Sequence, residues 1–219
     1  MAKINSLNNK SSELTIDPGA SGDSFLQFSI NTTGEFRIGV DDDAGDAFKI
    51  SQGSALGSND TFIMTAAGER TLPLNPCFLA YLGSDDNNVT GNGTAYTVGT
   101  NVALTEVFDQ NGDFNTNGTF TAPVTGRYLF SYSIYYNNMT SAATTINSRI
   151  VASNRGAQLV VDPNGVTFQG TSMNVILDMD ASDTCTFVAR VSGEAGDVVD
   201  LPGAGGTLYN THMSGCLIS

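Results

Sequence analysis

The carboxylates of this 219-residue sequence, the side chains best suited to bind a cation, fall into a few short clusters. The densest cluster contains Asp41, Asp42, Asp43 and Asp46. A charge run of this kind is usually a solvated turn, and we favour that interpretation. The alternative is a metal site formed by Asp41, Asp43 and Asp46. If three copies of the chain met around a threefold axis, a bound cation would relieve the repulsion between these carboxylates.

A second string that resembles a metal loop begins at Asp113 and reads Asp-x-Asn-x-Asn-Gly, like the opening of an EF-hand calcium loop. The twelfth position of such a loop is a bidentate Glu, and Val124 stands there in this sequence. The flanking residues predict strands, whereas an EF-hand loop joins two helices. Ca²⁺ is therefore not favoured at this string, and we predict no cofactor for the chain.

Catalysis by paired carboxylates, as in glycosidases, has two candidate pairs. Asp85 is followed by Asp86, and Glu194 precedes Asp197 by three positions. Both pairs stand beside glycine in polar segments, which indicates exposed loops. We therefore predict no catalytic residue and no enzymatic activity.

Histidine and cysteine add no catalytic or metal-binding pattern. His212 is the single histidine, and its position before a terminal apolar run predicts a strand residue. Cys77, Cys185 and Cys216 lie far apart in apolar runs, which predicts small core residues with free thiols. An odd number of cysteines fits synthesis in a reducing cytoplasm.

The charge of the chain excludes several classes of partner. There are 9 Lys and Arg residues against 22 Asp and Glu, a net charge of −13, and the basic residues are scattered. Nucleic acid needs clustered basic residues, and an anionic membrane surface attracts them, so neither is an expected partner. No run approaches the roughly 20 apolar residues of a membrane span. The N-terminus lacks the apolar stretch of a secretory signal.

Strands are the recurring local pattern along the chain. Short β-branched and aromatic runs alternate with clusters of Gly, Asn, Asp and Ser, beginning with a predicted strand at residues 13–17. The first third has few apolar residues per strand, so we expect it to complete its core with other chains. Pro73 and Pro76 mark a boundary. The predicted domains are a β-rich shaft or docking segment, residues 1–76, and a second domain, residues 77–219.

The second domain contains the strongest predicted strand, residues 126–136. Alternation places five large side chains on one face of this strand, which are Tyr128, Phe130, Tyr132, Ile134 and Tyr136. About eight to ten strands in about 140 residues, without a helical pattern, predict an all-β jelly-roll sandwich.

Residues 120–132 resemble the signature of the globular head of complement C1q and its tumour-necrosis-factor-like relatives. In that family a Phe, a Pro-Val-x-Gly turn and a Tyr-x-Phe-x-Tyr strand follow one another. The matching positions of the fold signature, including Phe108 upstream and the closing strand downstream, are Phe108, Phe120, Gly126, Tyr128, Phe130, Tyr132 and Gly215. The resemblance implies a C1q-like jelly roll that forms compact homotrimers. It also implies that Cys77 and Cys216 lie on paired first and last strands without a disulfide bond.

The N-terminal segment has a resemblance of its own. Residues 34–41, 48–51 and 62–74 resemble the short β-repeats of bacteriophage tail-fibre and appendage proteins, which precede a trimeric adhesive head. The two resemblances together predict a non-enzymatic, homotrimeric virion fibre or spike that attaches to the host surface. The alternatives are a capsid decoration or cement protein and a bacterial surface adhesin module.

The expected partners are other virion proteins and a host surface glycan or protein receptor. The expected location is therefore the virion, at a tail appendage or on the capsid surface. Exposed polar loops are the usual contact sites, and three segments rich in Gly, Asn and Asp fit this role, residues 85–93, 137–143 and 193–206. The candidate contact residues in them are Asp85, Asp86, Asn87, Asn137, Asn138, Glu194 and Asp197.

Overall fold

The computed structural model of the chain describes residue 16 and residues 21–30, 33–205 and 208–219. The strand predicted at residues 13–17 therefore lies almost entirely outside the described residues. The chain divides into two compact units, one ending at Leu74 and the other beginning at Asn75. Apart from one turn of 3-10 helix, Asp42–Ala44, the regular elements in the described residues are all strands. The predicted all-β fold class is confirmed.

The first unit contains one antiparallel sheet whose five strands are hydrogen-bonded in chain order. The strands are β1 (Ser24–Ile30), β2 (Thr33–Asp41), β3 (Ala47–Gln52), β4 (Asp60–Met64) and β5 (Arg70–Thr71). Each strand follows its predecessor through a short polar connection, as in a β-meander. In the part of this unit that the structure describes, no second sheet lies against the first.

The second unit contains thirteen strands among its described residues. They are β6 (Cys77–Leu82), β7 (Asp86–Thr90), β8 (Ala95–Thr97), β9 (Leu104–Asp109), β10 (Phe114–Asn115), β11 (Thr119–Thr121), β12 (Gly126–Tyr136), β13 (Thr145–Ala152), β14 (Gly156–Val161), β15 (Gln169–Met179), β16 (Thr184–Ser192), β17 (Val199–Leu201) and β18 (His212–Leu217).

Two antiparallel layers form the second unit. The front sheet has the order β9-β6-β18-β12-β15, and the back sheet has the order β10-β11-β16-β13-β14, with β8 also paired to β16. The chain passes from one sheet to the other between β9 and β10, β11 and β12, β12 and β13, β14 and β15, and again between β15 and β16. This repeated crossing between two antiparallel sheets is the arrangement of a jelly roll.

The core lies between the two sheets and follows the predicted alternation. All five large side chains on the inner face of β12 are at most 1% exposed, and Cys185, Phe187, Ala189 and Val191 of β16 are fully buried opposite them. Gly215 of β18 is the cross-strand neighbour of both Phe130 and Phe78. Its missing side chain leaves the room that these two rings occupy.

Phe108 differs from its predicted place in the core. It is 44% exposed on β9, at the edge of the front sheet. Its cross-strand partner is Leu79, and the neighbours of Leu79 along β6, Phe78 and Ala80, both face the core. Since side chains alternate along a strand, Leu79 and Phe108 share the outer face.

Three strands, β7, β10 and β14, are absent from the sequence prediction. The segment 85–93, predicted as a polar loop, contains β7, which pairs with β17. The prediction failed there because only Val89 in this strand is apolar, although Val89 and Thr90 are both buried. β14 was missed because it forms one edge of the back sheet and exposes alternate side chains, and β10, at the other edge, has only two residues.

Candidate functional site

The three predicted contact loops meet at one end of the sandwich. Antiparallel pairing places the ends of β6, β12 and β16 and the beginning of β18 at that end. The backbone groups of Asn137 and Asp200 bond to each other reciprocally, with N–H to O distances of 2.9 and 3.0 Å. Residues 83–93, 137–144 and 193–205, which we call the loop cluster, are therefore joined although they are distant in sequence.

Aspartates of the loop cluster hold the backbones of neighbouring loops. Asp85 Oδ1 accepts the backbone N–H of Gly203 at 2.9 Å, and Asp200 Oδ1 accepts that of Asn88 at 2.8 Å. Asp197 Oδ1 accepts the N–H of Asn92 at 3.3 Å. Charge-assisted bonds of this kind fix the relative positions of loops that have little apolar surface of their own.

Asp86 is not an exposed contact residue, as its polar segment had indicated, because it is only 2% exposed. The hydroxyl of Tyr96 donates a hydrogen bond to Asp86 Oδ2 and accepts the backbone N–H of Asn101 at 2.9 Å. Burial, and next the hydrogen bond to Asp86, raise the pKa of the Tyr96 hydroxyl. Asp86 is therefore a structural group that ties β7 to β8.

Glu194 is also buried, at 8% exposure, and is likewise not an exposed contact residue. Its Oε1 accepts the backbone N–H of Thr140 at 2.6 Å, and its Oε2 accepts the Thr140 hydroxyl at 2.8 Å. Both carboxylate oxygens are thus engaged with the loop that follows β12. Since Asp86 and Glu194 are both committed to structural bonds, neither predicted pair offers two free carboxylates.

The remaining candidate contact residues keep side-chain atoms at the surface. Asp85, Asn87, Asn137 and Asn138 are exposed, and Asp197 is half-buried. Asn138 has a φ of 63° and donates from Nδ2 to the carbonyl of Val198 at 3.1 Å, so it has a second role in the cluster. The exposed carboxylate and amide groups can donate to and accept from the hydroxyl groups of a polar ligand.

The partners that fix the loop cluster were not among the predicted site residues. Tyr96, Thr140 and Asp200 lie outside the candidate set, yet each binds a candidate residue or its backbone neighbour. A signal was present only at Tyr96, whose hydroxyl would need a partner if its strand were buried. The two other contacts depend on how loops from different parts of the chain meet.

The aspartate cluster of the first unit does not converge as the metal hypothesis requires. Asp41 is 5% exposed and its Oδ2 lies 2.8 Å from Lys49 Nζ, while Asp43 and Asp46 are exposed. Lys49 Nζ also lies 3.1 Å from Asp60 Oδ2. The cation that neutralises Asp41 within one chain is therefore Lys49. The hydrogen bond from Lys49 to Asp41 raises the pKa of the Lys49 ammonium, against the lowering effect of burial.

Two of the three cysteines are cross-strand partners, as the C1q resemblance implies. Cys77 on β6 stands opposite Cys216 on β18, and both thiols are free. Burial, and next the hydrogen bond with Cys216, raise the pKa of Cys77 to about 12. Cys185 is fully buried, and burial raises its pKa to about 12.

The described residues contain no group of three or more His, Cys, Asp or Glu placed to hold a metal ion. In the string that begins at Asp113, the side-chain oxygens of Asn115 and Asn117 accept backbone N–H groups two residues ahead, at 3.0 and 3.1 Å. These two oxygens therefore stabilise the turn itself. No helix among the described residues is long and apolar enough to cross a membrane.

Known proteins resemble this chain in structure only. No family model matches the sequence, and no curated protein matches it. The globular domain of the zebrafish complement 1qA protein is 15% identical, with a TM-score of 0.44, covering 66% of this chain and 98% of that one. Murine APRIL is 9% identical, with a TM-score of 0.43, covering 66% and 99%.

A third solved structure is the PRD1 vertex protein P5, which is 9% identical with a TM-score of 0.47, covering 67% of this chain and 98% of that one. At these values the likenesses concern the fold and carry no evidence about activity. The second unit is an all-β jelly roll, as the strand order of its two sheets shows.

Proposed function

We propose that the chain is a non-enzymatic structural protein of a virion, which assembles as a homotrimeric fibre or spike and contacts the host surface through the loop cluster. The observation that supports this most is the meeting of three polar loops at one end of the sandwich. Their buried carboxylates hold the loops in place, so the cluster is built as a rigid polar surface and not as a reaction centre.

The outer face of the front sheet supports the homotrimer. Ile176, Leu129, Cys216 and Cys77 form one cross-strand row on that face, and Ile176 and Leu129 are 55% and 40% exposed. An apolar cleft of about 320 Å³ lies beside this row and includes Phe108. A contiguous exposed apolar patch of this kind is typical of an association surface. Coverage by neighbouring copies also accounts for the exposure of Phe108 in a single chain.

The ligand class follows from the charge. Each chain carries a net charge of −13, so three chains carry −39 (three times −13). Such a surface repels bare anions. The exposed polar side chains of the loop cluster therefore favour a neutral glycan or a neutral protein surface on the host. Other virion proteins are the expected partners of the first unit.

The proposal is tested by locating the chain in purified particles with a specific antibody and electron microscopy. Labelling at the tail supports a fibre or spike, whereas labelling over the shell indicates the alternative, a capsid decoration or cement protein. A chain absent from particles, such as an adhesin module of the bacterial surface, contradicts the virion assignment.

Attachment is tested separately by adding the purified full chain to cells before the particles. The intact chain should compete with particle adsorption. The double variant Asn87→Ala, Asn137→Ala should compete at least about tenfold less well, since a combined loss of about 1.4 kcal/mol, which one hot-spot residue can supply, lowers affinity tenfold. Gln158→Ala, a polar change on β14 away from the loop cluster, is the matched control and should compete normally.

A further inference from the structure

The sheet of the first unit has one face made of apolar side chains. Cross-strand neighbours share a face, and the register joins Leu26, Ile38, Ile50 and Phe62 in one row across four strands. Val40, Phe48 and Met64 form the next row, and Phe28 with Phe36 forms a third. We call these nine residues the apolar face.

None of the nine side chains is buried in a single chain. Leu26, Phe28 and Phe36 are 48%, 59% and 44% exposed, and the other six are half-buried. The four rings Phe28, Phe36, Phe48 and Phe62 would each bury on the order of 200 Å² in a core. Leaving this face in water is therefore unfavourable. The charged side chain that the register places beside it, Arg70 opposite Met64, stands on the short edge strand β5.

The opposite face of the same sheet carries buried polar side chains together with Phe25, Ala47 and Ile63, and it is the one that the chain itself covers. Lys49 and Ser51 on β3 are 7% and 0% exposed, and they bond to Asp41 and Asp60, which are also buried. The β3–β4 connection, residues 53–59, lies against this face: the backbone N–H of Gly57 donates to Asp60 Oδ1 at 3.1 Å. Leu56 in this connection is 8% exposed.

This arrangement is the reverse of that in an isolated globular sheet. A sheet that stood alone would bury its apolar face and leave its charged side chains in water. Here the charged side chains of β3 and its neighbours are enclosed and the apolar side chains are open. The sheet is therefore arranged as one layer of a larger core whose other layers come from outside the described part of the unit.

We propose that the apolar face is buried against the same face of other copies of this chain, so that the first unit is a self-association element separate from the jelly roll. The exposed apolar area is on the order of 500 Å² per chain, taken from the side-chain fractions and ring areas. A stable interface buries about 800 Å² per partner, and homo-oligomer interfaces are about 65% apolar. The two estimates agree, and a face whose centre is apolar is chemically complementary to itself. The number of copies, three, rests on the proposed homotrimer, whereas the use of this face does not.

The test compares thiol labelling at two positions that one chain exposes equally. Phe28→Cys lies on the apolar face, and Val160→Cys lies on β14, where Val160 is 53% exposed against 59% for Phe28. Each full-length variant is labelled with a maleimide, and the labelled peptide is identified by mass spectrometry. The thiol introduced by Phe28→Cys should react at least about tenfold more slowly than the one introduced by Val160→Cys, since its reaction requires local opening of the interface.

Phe36→Cys, at the cross-strand partner of Phe28, is a second variant in case the first impairs folding. Oxidation with copper phenanthroline, which joins adjacent thiols, is carried out in a background with Cys77→Ser and Cys216→Ser. It should give a disulfide-linked dimer from at least one variant and none from Val160→Cys. Labelling of both face variants at the rate of Val160→Cys overturns the proposal. Protection without any inter-chain disulfide also overturns it, because the face is then covered by its own chain.

Light scattering separates this result from the proposed function. A trimeric full-length protein with a freely labelled Phe28→Cys refutes the apolar-face interface and leaves the homotrimer standing. A monomeric full-length protein refutes both.

Discussion

Gly215→Ala gives the sharpest test of how the jelly roll is held together. A Cβ atom at Gly215 would lie 2.6 Å from Phe78 Cε1 and 2.7 Å from Phe130 Cδ1. Carbon atoms pack best at about 3.5–4.0 Å, so each of the two rings must move away from the added Cβ atom by about 1 Å. Both rings are at most 1% exposed, so no solvent-filled space receives them.

Neighbouring rings prevent an easy adjustment. Phe78 stacks on Phe114 with ring centroids 4.2 Å apart, and Phe187 meets both Phe78 and Phe130 edge to face at 6.4 and 6.2 Å. A shift of either ring therefore spreads through the aromatic core. Overpacking of this kind costs about 1–3 kcal/mol, and we expect about 2 kcal/mol for Gly215→Ala. For a unit of this size the melting temperature should fall by about 4–8 °C.

Urea and thermal unfolding of the full-length variant, followed by near-ultraviolet circular dichroism of the aromatic core, provide the measurement. The matched control is Gly196→Ala, because an added Cβ there meets no atom within 4 Å. This control corrects for the smaller backbone entropy of unfolded alanine, about 0.5–1 kcal/mol relative to glycine. A free energy of unfolding for Gly215→Ala within about 0.5 kcal/mol of the control would refute the packing argument.

Three further predictions concern buried polar and thiol groups. Lys49→Met should destabilise the first unit by about 3–5 kcal/mol, because Asp41 and Asp60 stay buried without their cation. The measurement is hydrogen exchange of the amides in β2–β4, which should be faster in the variant than in the wild type. Unchanged exchange contradicts the prediction. The pKa of Lys49 in the folded protein is raised above 10.5. The stabilisation from the Lys49 ion pairs is therefore complete below pH 10.5 and is lost as the pH rises through the folded-state pKa of Lys49. The amides of β2–β4 should lose their protection from exchange in strong alkali before those of β12. Tyr96→Phe should lower the free energy of unfolding by about 1–3 kcal/mol in urea titrations, because Asp86 stays buried and loses the Tyr96 hydroxyl as its hydrogen-bond donor. The control variant Tyr209→Phe should change the free energy of unfolding very little. Burial, and next the hydrogen bond with Cys216, raise the pKa of Cys77 and so lower its thiolate fraction at neutral pH. Iodoacetamide should therefore alkylate Cys77 in the native protein more slowly than in urea, and equal rates would contradict the pKa shift.

Alternation along single strands made much of the fold predictable. β12 has the predicted bounds, residues 126–136, and its predicted inner face is the buried one. Such strands are readable because their period-two pattern is local and both neighbours in the sheet impose the same period. β7 and β14 were not predicted, because β7 is mostly polar and β14 is a half-exposed edge strand.

The candidate site was predictable in composition and not in chemistry. The three segments were recognised as polar, and they do lie together at one end of the sandwich. The roles of Asp86 and Glu194 depend on Tyr96 and Thr140, which are 10 and 54 positions away in the sequence. The residues next to a carboxylate in a polar segment do not indicate whether another loop will bury it.

The all-β class, the inner face of the long strand β12, the acidic net charge and the small number of apolar residues per strand in the first segment could all be read from the amino-acid order. Contacts in three dimensions were needed to show which carboxylates are buried, that Lys49 neutralises Asp41, that Phe108 faces outward and that the first sheet encloses its polar face. The first group depends on periodicity and composition, which each strand carries alone. The second depends on register and on contacts between distant segments, where a shift of one residue exchanges the two faces of a strand.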